Sequence, residues 1–174
     1  MKRAVVIGCP GAGKTTFAQK LNKRTGLPLF HLDSIFFRPD RSHISRDEFD
    51  RRLSEILGLN EWIIDGNYPR TMERRIQMCD TVFLFDLPPE ACVQGIVSRL
   101  GMSRPDMPWT AHEPDPELMQ KINGFPDKEL PAVRALLDKY KADKQIIIFK
   151  SRAQADQYLD MYFNILLQYK KSAQ

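Results

Sequence analysis

Apolar residues gather along this chain in short unbroken runs rather than in alternation, the pattern of strands buried on both faces of a parallel sheet. The first, Ala4-Val5-Val6-Ile7, stops at a glycine, and similar runs follow at 29–32, 62–64, 81–85 and 145–149. They predict five central strands. Between them the spacing becomes helical. Ser45 and Glu48 form a capping box ahead of a helix with Phe49, Leu53, Ile56 and Leu57 on one face, and Gly58 ends it. Near the C-terminus Ala155, Leu159, Tyr162, Phe163 and Leu166 form a stripe expected to pack on the sheet. Strands alternating with helices, joined by right-handed crossovers, predict an α/β fold, a three-layer α/β/α sandwich on a five-stranded parallel sheet.

One region breaks the pattern. Residues 102–116, rich in Pro, Arg and Asp and lacking any period, read as a mobile loop or lid, part of a lid-like insertion at about 99–116. Two helices are expected after it. One begins at Asp115 and Pro116, a cap with a first-turn proline; the other runs from about Asp127 through Leu130, Val133, Leu137 and Tyr140.

With 174 residues, 43% hydrophobic and 28% charged, the chain can bury one core without staples, so a single domain over 1–174 is expected. Cys9, Cys79 and Cys92 are odd in number and lack C-x-x-C spacing. They suggest neither a disulfide framework nor a zinc site, and they fit a reducing cytoplasm. The apolar run after Met1-Lys2-Arg3 is too short for a signal-peptide core or a membrane span, so neither export nor anchoring is predicted. A net charge of +4 and a pI near 9.0 favour anionic partners, nucleotides as easily as nucleic acid.

The chemistry concentrates after the first strand. Gly8-Cys9-Pro10-Gly11-Ala12-Gly13-Lys14-Thr15 matches G-x-x-x-x-G-K-[ST]. Its glycines let successive backbone N–H groups converge on an anion with no Cβ in the way, and the next helix adds its positive end. Gly8, Pro10, Gly11, Ala12, Gly13, Lys14, Thr15 and Thr16 are therefore the candidate nucleotide-binding residues. Lys14 is expected to neutralise the β and γ phosphates of ATP, and the Thr15 hydroxyl to complete the shell of Mg2+. A second element fits the same site: the strand Trp62-Ile63-Ile64 ends in Asp65, as a Walker B position requires, making Asp65 the second magnesium candidate.

The glycine loop followed by Ala18 and Gln19 resembles the opening of adenylate kinases. Asp65-Gly66-Asn67-Tyr68-Pro69-Arg70-Thr71 is similar to their D-G-[FY]-P-R-T segment with one residue inserted, and Ile96-Val97-Ser98-Arg99 resembles the helix leading into their lid. With His31-Leu32-Asp33 and Arg104-Pro105-Asp106-Met107 included, the pattern resembles more closely still the bacterial adenylate-kinase-related proteins known as DNA topology modulation proteins. The resemblance implies a P-loop nucleoside-triphosphate hydrolase fold with strand order 2-3-1-4-5, ATP on the glycine loop and an acceptor pocket across the strand ends. It places Arg70 on the acceptor side, Arg99 at the start of the lid against the ATP phosphates, and Arg104 closing over them, since the arginine fork meets phosphate oxygens bidentately. Arg74 and Arg75, on the helical stretch 72–78, read as a solvated face.

After the second strand the chain departs from adenylate kinases, which carry a threonine and an arginine there to grip AMP. Here stand His31, Asp33, Ser34 and Arg38. An acid at this place is what shikimate and gluconate kinases use near the acceptor hydroxyl. Asp33 is thus a candidate base or acceptor clamp, against its reading as a cap or turn acid before Phe36-Phe37. His31 reads as packed and hydrogen-bonded rather than catalytic. The lid holds no cysteine and so no zinc, and Trp109 is either a closure anchor or packed on its own loop. The expected function is transfer of the ATP γ-phosphoryl to a small-molecule acceptor, either a nucleoside monophosphate or a hydroxylated metabolite, with the lid excluding water. The alternative is an ATP-dependent regulator of DNA topology without kinase turnover. The sequence offers it no helix-turn-helix, zinc module or concentrated basic run.

Overall fold

The computed structural model describes the backbone of residues 1–172 and the side chains of residues 1–164. Strands β1 (Arg3–Gly8), β2 (Leu29–His31), β3 (Trp62–Asp65), β4 (Thr81–Phe85) and β5 (Gln145–Phe149) form one parallel sheet in the order β2-β3-β1-β4-β5. The three inner strands are buried almost throughout, which is why each reads as an unbroken apolar run. Helices α1 (Lys14–Thr25), α2 (Leu32–Phe36), α3 (Arg46–Leu57), α4 (Pro69–Met78), α5 (Pro89–Val97), α6 (Pro116–Lys128), α7 (Leu130–Tyr140) and α8 (Arg152–Ser172) make the outer layers. None among the described residues is long and apolar enough to cross a membrane.

Local chemistry sets the helix ends. Ser45 Oγ accepts from the Glu48 N–H at the start of α3, whose Phe49, Leu53, Ile56 and Leu57 are buried. Asp115 Oδ1 accepts from the Glu117 N–H at the start of α6. Phe17, Ala18 and Leu21 seat α1 on the sheet, with the Phe17 ring 4.8 Å from Phe83 and 5.4 Å from Phe85, edge to face. On α8, Ala155 and Leu159 are buried and Tyr162 and Phe163 half-buried; the Leu166 side chain lies outside the described residues.

Two boundaries differ from expectation. The 29–32 run is a strand only to His31, because Leu32 turns inward as the first residue of α2. The helix expected from about Asp127 begins at Leu130, since α6 continues through Pro126 to Lys128. Pro126 removes one helix hydrogen bond, yet burial of Ile122 and Phe125 in the turn just before it holds the segment helical. Pro131 sits in the first turn of α7, where no N–H is needed.

The topology creates the site. β1 lies between β3 and β4, so the chain winds to one side of it through β2 and β3 and to the other through β4 and β5. Ligands of such sheets bind at the carboxyl ends of the strands beside that reversal. The register aligns Val6 with Asp65 and His31 with Asp65, which brings the ends of β1, β2 and β3 together.

Candidate active site

The loop after β1 is shaped by glycines whose φ angles are 133° at Gly8, 80° at Gly11 and 104° at Gly13. Two of them also permit close packing: a Cβ on Gly8 would meet the Phe85 carbonyl at 2.2 Å, and one on Gly11 would meet the Cys92 carbonyl at 2.2 Å. Lys14 folds back across the loop and donates to the carbonyls of Gly8 and Cys9 at 2.9 and 3.0 Å. Burial lowers its pKa, while Asp65 and Asp33 favour its charged form. Pro10 is half-buried at the loop and Ala12 fully buried, whereas the Thr16 side chain is exposed on α1.

Beside Lys14, the Thr15 hydroxyl lies 2.8 Å from Asp65 Oδ2, and His31 Nδ1 lies 3.0 Å from the same oxygen. His31 is hydrogen-bonded, as the sequence reading has it, but to the magnesium candidate itself. Asp65 is 4% exposed and its Oδ1 is buried with no partner among the described residues. A buried carboxylate oxygen without a donor is costly unless a cation meets it. An oxygen-only donor set of one hydroxyl and a carboxylate suits magnesium, which binds through one or two carboxylates together with substrate phosphates rather than in an all-protein cage. The residues present therefore fit the ion.

The segment after β3 is held from two sides. Asn67, the residue inserted relative to adenylate kinases, accepts from the Gly8 N–H at 2.9 Å and donates to the Gly8 carbonyl at 2.8 Å, tying this segment to the glycine loop. Arg75 corrects the solvated-face reading. It is fully buried and donates to the carbonyls of Gly66, Asn67, Tyr68 and Thr71. Burial brings its pKa down to about 10. Arg74 is exposed, as expected, and donates to Ser54 Oγ at 3.0 Å.

This bracing fixes Tyr68 in a left-handed conformation, φ 36° and ψ 75°, that a non-glycine residue adopts only under constraint. From there its hydroxyl donates to Asp33 Oδ1 at 2.9 Å. Asp33 lies in the first turn of α2, but its side chain makes no cap bond there. Burial raises its pKa, and the charges of Asp65 and Asp106 act the same way, while Tyr68 and Lys14 oppose them.

Residues 102–110, within the expected lid-like insertion, form a loop after α5 whose neck is closed by the Gly101 N–H donating to the Ala111 carbonyl at 2.8 Å. Within the loop, Arg104 donates through Nε and Nη2 to the two oxygens of Asp106, which is 3% exposed. Asp106 Oδ2 lies 3.0 Å from the Thr15 hydroxyl, a contact that nothing in the sequence reading anticipated. Arg104 is thus engaged by its own loop. Arg99 is half-buried at the lid neck, and burial and the like charge of Arg104 bring its pKa down to about 10. Trp109 packs edge to face on Phe37, ring centres 5.3 Å apart, so it anchors the lid to the segment after Asp33 rather than to its own loop.

Arg70 is paired across two helices. It forms a two-pronged pair with Asp50 of α3, at 2.7 and 2.6 Å, with half of its side chain exposed. The pair joins α4 to α3 across 20 residues of sequence. Arg70→Ala is expected to leave turnover within about two-fold and the melting temperature nearly unchanged, because exposed pairs contribute little. Steady-state rates and a thermal melt check this.

Glycine loop, strand-end acid and strand order together define a P-loop protein with the sheet of the nucleotide and small-molecule kinases. Solved structures agree on the fold. Shikimate kinase from Acinetobacter baumannii in complex with shikimate superposes with a TM-score of 0.62 at 16% identity, covering 98% of this chain and 95% of that one. Shikimate kinase from Bacteroides thetaiotaomicron gives 0.56 at 17% identity, covering 95% and 98%. In sequence, the adenylate kinase of Thermotoga neapolitana is 30% identical over 96 residues, 54% of this chain and 43% of that protein, and that of Thermotoga maritima is 31% identical over the same shares. The chain thus spans less than half the length of the curated relatives it matches. No protein-family model matches it, and none of these relatives is named for an action on DNA.

Proposed function

We propose that this chain is a kinase that moves the γ-phosphoryl of ATP to the hydroxyl of a small metabolite. The observation carrying the reading is Asp33, a carboxylate with a raised pKa, oriented by Tyr68 and within electrostatic reach of Lys14 and Asp65. A hydroxyl acceptor needs a base at the attacked phosphoryl, and a base works best with a pKa moved toward the working pH. A phosphate acceptor needs cations instead, and Arg70, the acceptor-side arginine, is engaged by Asp50.

In this mechanism the backbone N–H groups of the glycine loop and Lys14 hold the donor phosphates in line with the acceptor. Thr15 and Asp65 would hold magnesium, which when bound would neutralise charge on the phosphate oxygens. Asp33 takes the proton from the acceptor hydroxyl as its oxygen bonds to the γ-phosphorus and the bond from that phosphorus to the β,γ-bridging oxygen breaks, releasing ADP. Arg99 stabilises charge on the transferring group, and the lid keeps water from the phosphoryl. The sequence likeness to adenylate kinases favours a second reading, with a nucleoside monophosphate as acceptor.

The test is ADP release from magnesium-ATP against a panel of hydroxylated metabolites and nucleoside monophosphates, with Lys14→Ala as blank. Stimulation by hydroxylated compounds supports the proposal. Stimulation by monophosphates alone replaces it with the second reading.

A further inference from the structure

Three oxygens meet at the base of the glycine loop. The Thr15 hydroxyl lies 2.8 Å from Asp65 Oδ2 and 3.0 Å from Asp106 Oδ2. A hydroxyl has one proton to donate, so it satisfies only one of the two carboxylates. Both acids are almost wholly buried, at 4% and 3% exposure, and the second Asp65 oxygen has no partner among the described residues. Lys14 does not resolve this excess of acceptors, since its ammonium is hydrogen-bonded to the Gly8 and Cys9 carbonyls. His31 Nδ1, 3.0 Å from Asp65 Oδ2, and Arg104, on both Asp106 oxygens, meet the rest, so what remains is one buried carboxylate oxygen, Asp65 Oδ1, with no donor beside a second buried acid.

Asp106 is also held in place. A backbone bridge between Arg104 and Met107 folds the lid into a tight turn around it, and Arg104 grips both of its oxygens. An outer partner that orients a carboxylate in this way is the usual support of a metal ligand. Trp109, three residues on, pins the same loop to Phe37.

We propose that Asp106 is a ligand, direct or through water, of the nucleotide-bound magnesium, so that the lid closes on the metal as well as on the phosphates. This rests on the reading of Thr15 and Asp65 as magnesium residues and adds a third residue from a different part of the chain. It makes lid closure depend on the divalent ion and not on nucleotide alone. Arg104 then acts as a positioning residue, holding Asp106, rather than as a phosphate clamp.

The experiment measures binding, not turnover. A non-hydrolysable ATP analogue is titrated into the wild-type chain and into Asp106→Asn, with magnesium and with EDTA, by calorimetry and by tryptophan fluorescence. Trp109 lies in the lid while Trp62 is fully buried in β3, so a magnesium-dependent change in emission reports the loop. The expected result is that magnesium strengthens binding to the wild type, that Asp106→Asn lowers this gain by about tenfold, and that affinity in EDTA is unchanged. The magnesium-dependent fluorescence change should also be lost, and Asp106→Glu, which keeps the charge, should recover part of both. An unchanged magnesium gain in Asp106→Asn overturns the inference and leaves the kinase reading standing. Tighter binding by that variant in EDTA also overturns it, making Asp106 a plug that nucleotide must displace. Failure of the wild type to bind the analogue under either condition overturns the phosphate-loop reading together with this one.

Discussion

Asp33→Asn is expected to lower kcat by about 10²- to 10⁴-fold, the usual contribution of a positioned general base, while ATP affinity changes little. Asparagine keeps an oxygen to accept from Tyr68 but cannot take a proton, so geometry survives and chemistry does not. The pH profile gives a second signature. Burial and the neighbouring acids raise the Asp33 pKa, and the base must be ionised to act. In the wild type, kcat/KM should therefore rise with pH through a pKa above the ordinary carboxylate range, and the variant should lose that limb.

Stability moves the other way. A carboxyl whose pKa is higher in the folded state binds its proton more tightly there, so its contribution is favourable below the unfolded pKa and is lost as pH rises through the folded one. At neutral pH the buried charge is a cost. Asp33→Asn should relieve it and raise the melting temperature by a few degrees, as exchanges at functional sites often do. A variant that lost turnover and stability together would point to misfolding and not to a missing base.

Arg75→Met is expected to cost about 3 kcal/mol, the second large effect. Methionine fills much of the volume but abandons the carbonyls of Gly66, Asn67, Tyr68 and Thr71 in a dry interior. For a chain of this size that corresponds to a fall in melting temperature of roughly 6–12 °C. The same loss frees Tyr68 from its left-handed conformation, so Asp33 loses its orienting bond and kcat should fall in the surviving folded fraction. Arg75→Lys should recover only part, since one ammonium cannot span four carbonyls. A loss under about 1 kcal/mol would mean that Tyr68 is held by other contacts.

What the sequence reveals here is what short-range chemistry controls. The runs at β1, β3 and β4 announce their strands because burial on both sheet faces leaves no room for polar residues. The α3 capping box and the glycine loop are contiguous motifs whose geometry follows from their own residues. The acid at the end of β3 is legible for the same reason, and its contact with His31 follows from the parallel register of β2 and β3.

Contacts made across the fold are harder to read. Thr15 and Asp106 are 91 residues apart, and Asp106 lies in a loop without periodicity, so although Arg104-Pro105-Asp106-Met107 enters the resemblance, nothing local pairs Asp106 with Thr15. Arg75 did leave a signal. It shares a helical face with Met72 and Ile76, both buried, and that spacing marks an inward position despite the charge. Arg70, one turn earlier on α4, was assigned by resemblance to a motif. An inserted Asn67 and a nearby Asp50 give the segment different partners here.

The most direct test of the central claim is phosphorus NMR of the product formed from magnesium-ATP and the most stimulating acceptor. Hydroxyl transfer predicts ADP together with a phosphomonoester resonance, absent with Lys14→Ala. A new phosphoanhydride resonance, from a nucleoside diphosphate made out of its monophosphate, would contradict the hydroxyl acceptor and the role assigned to Asp33.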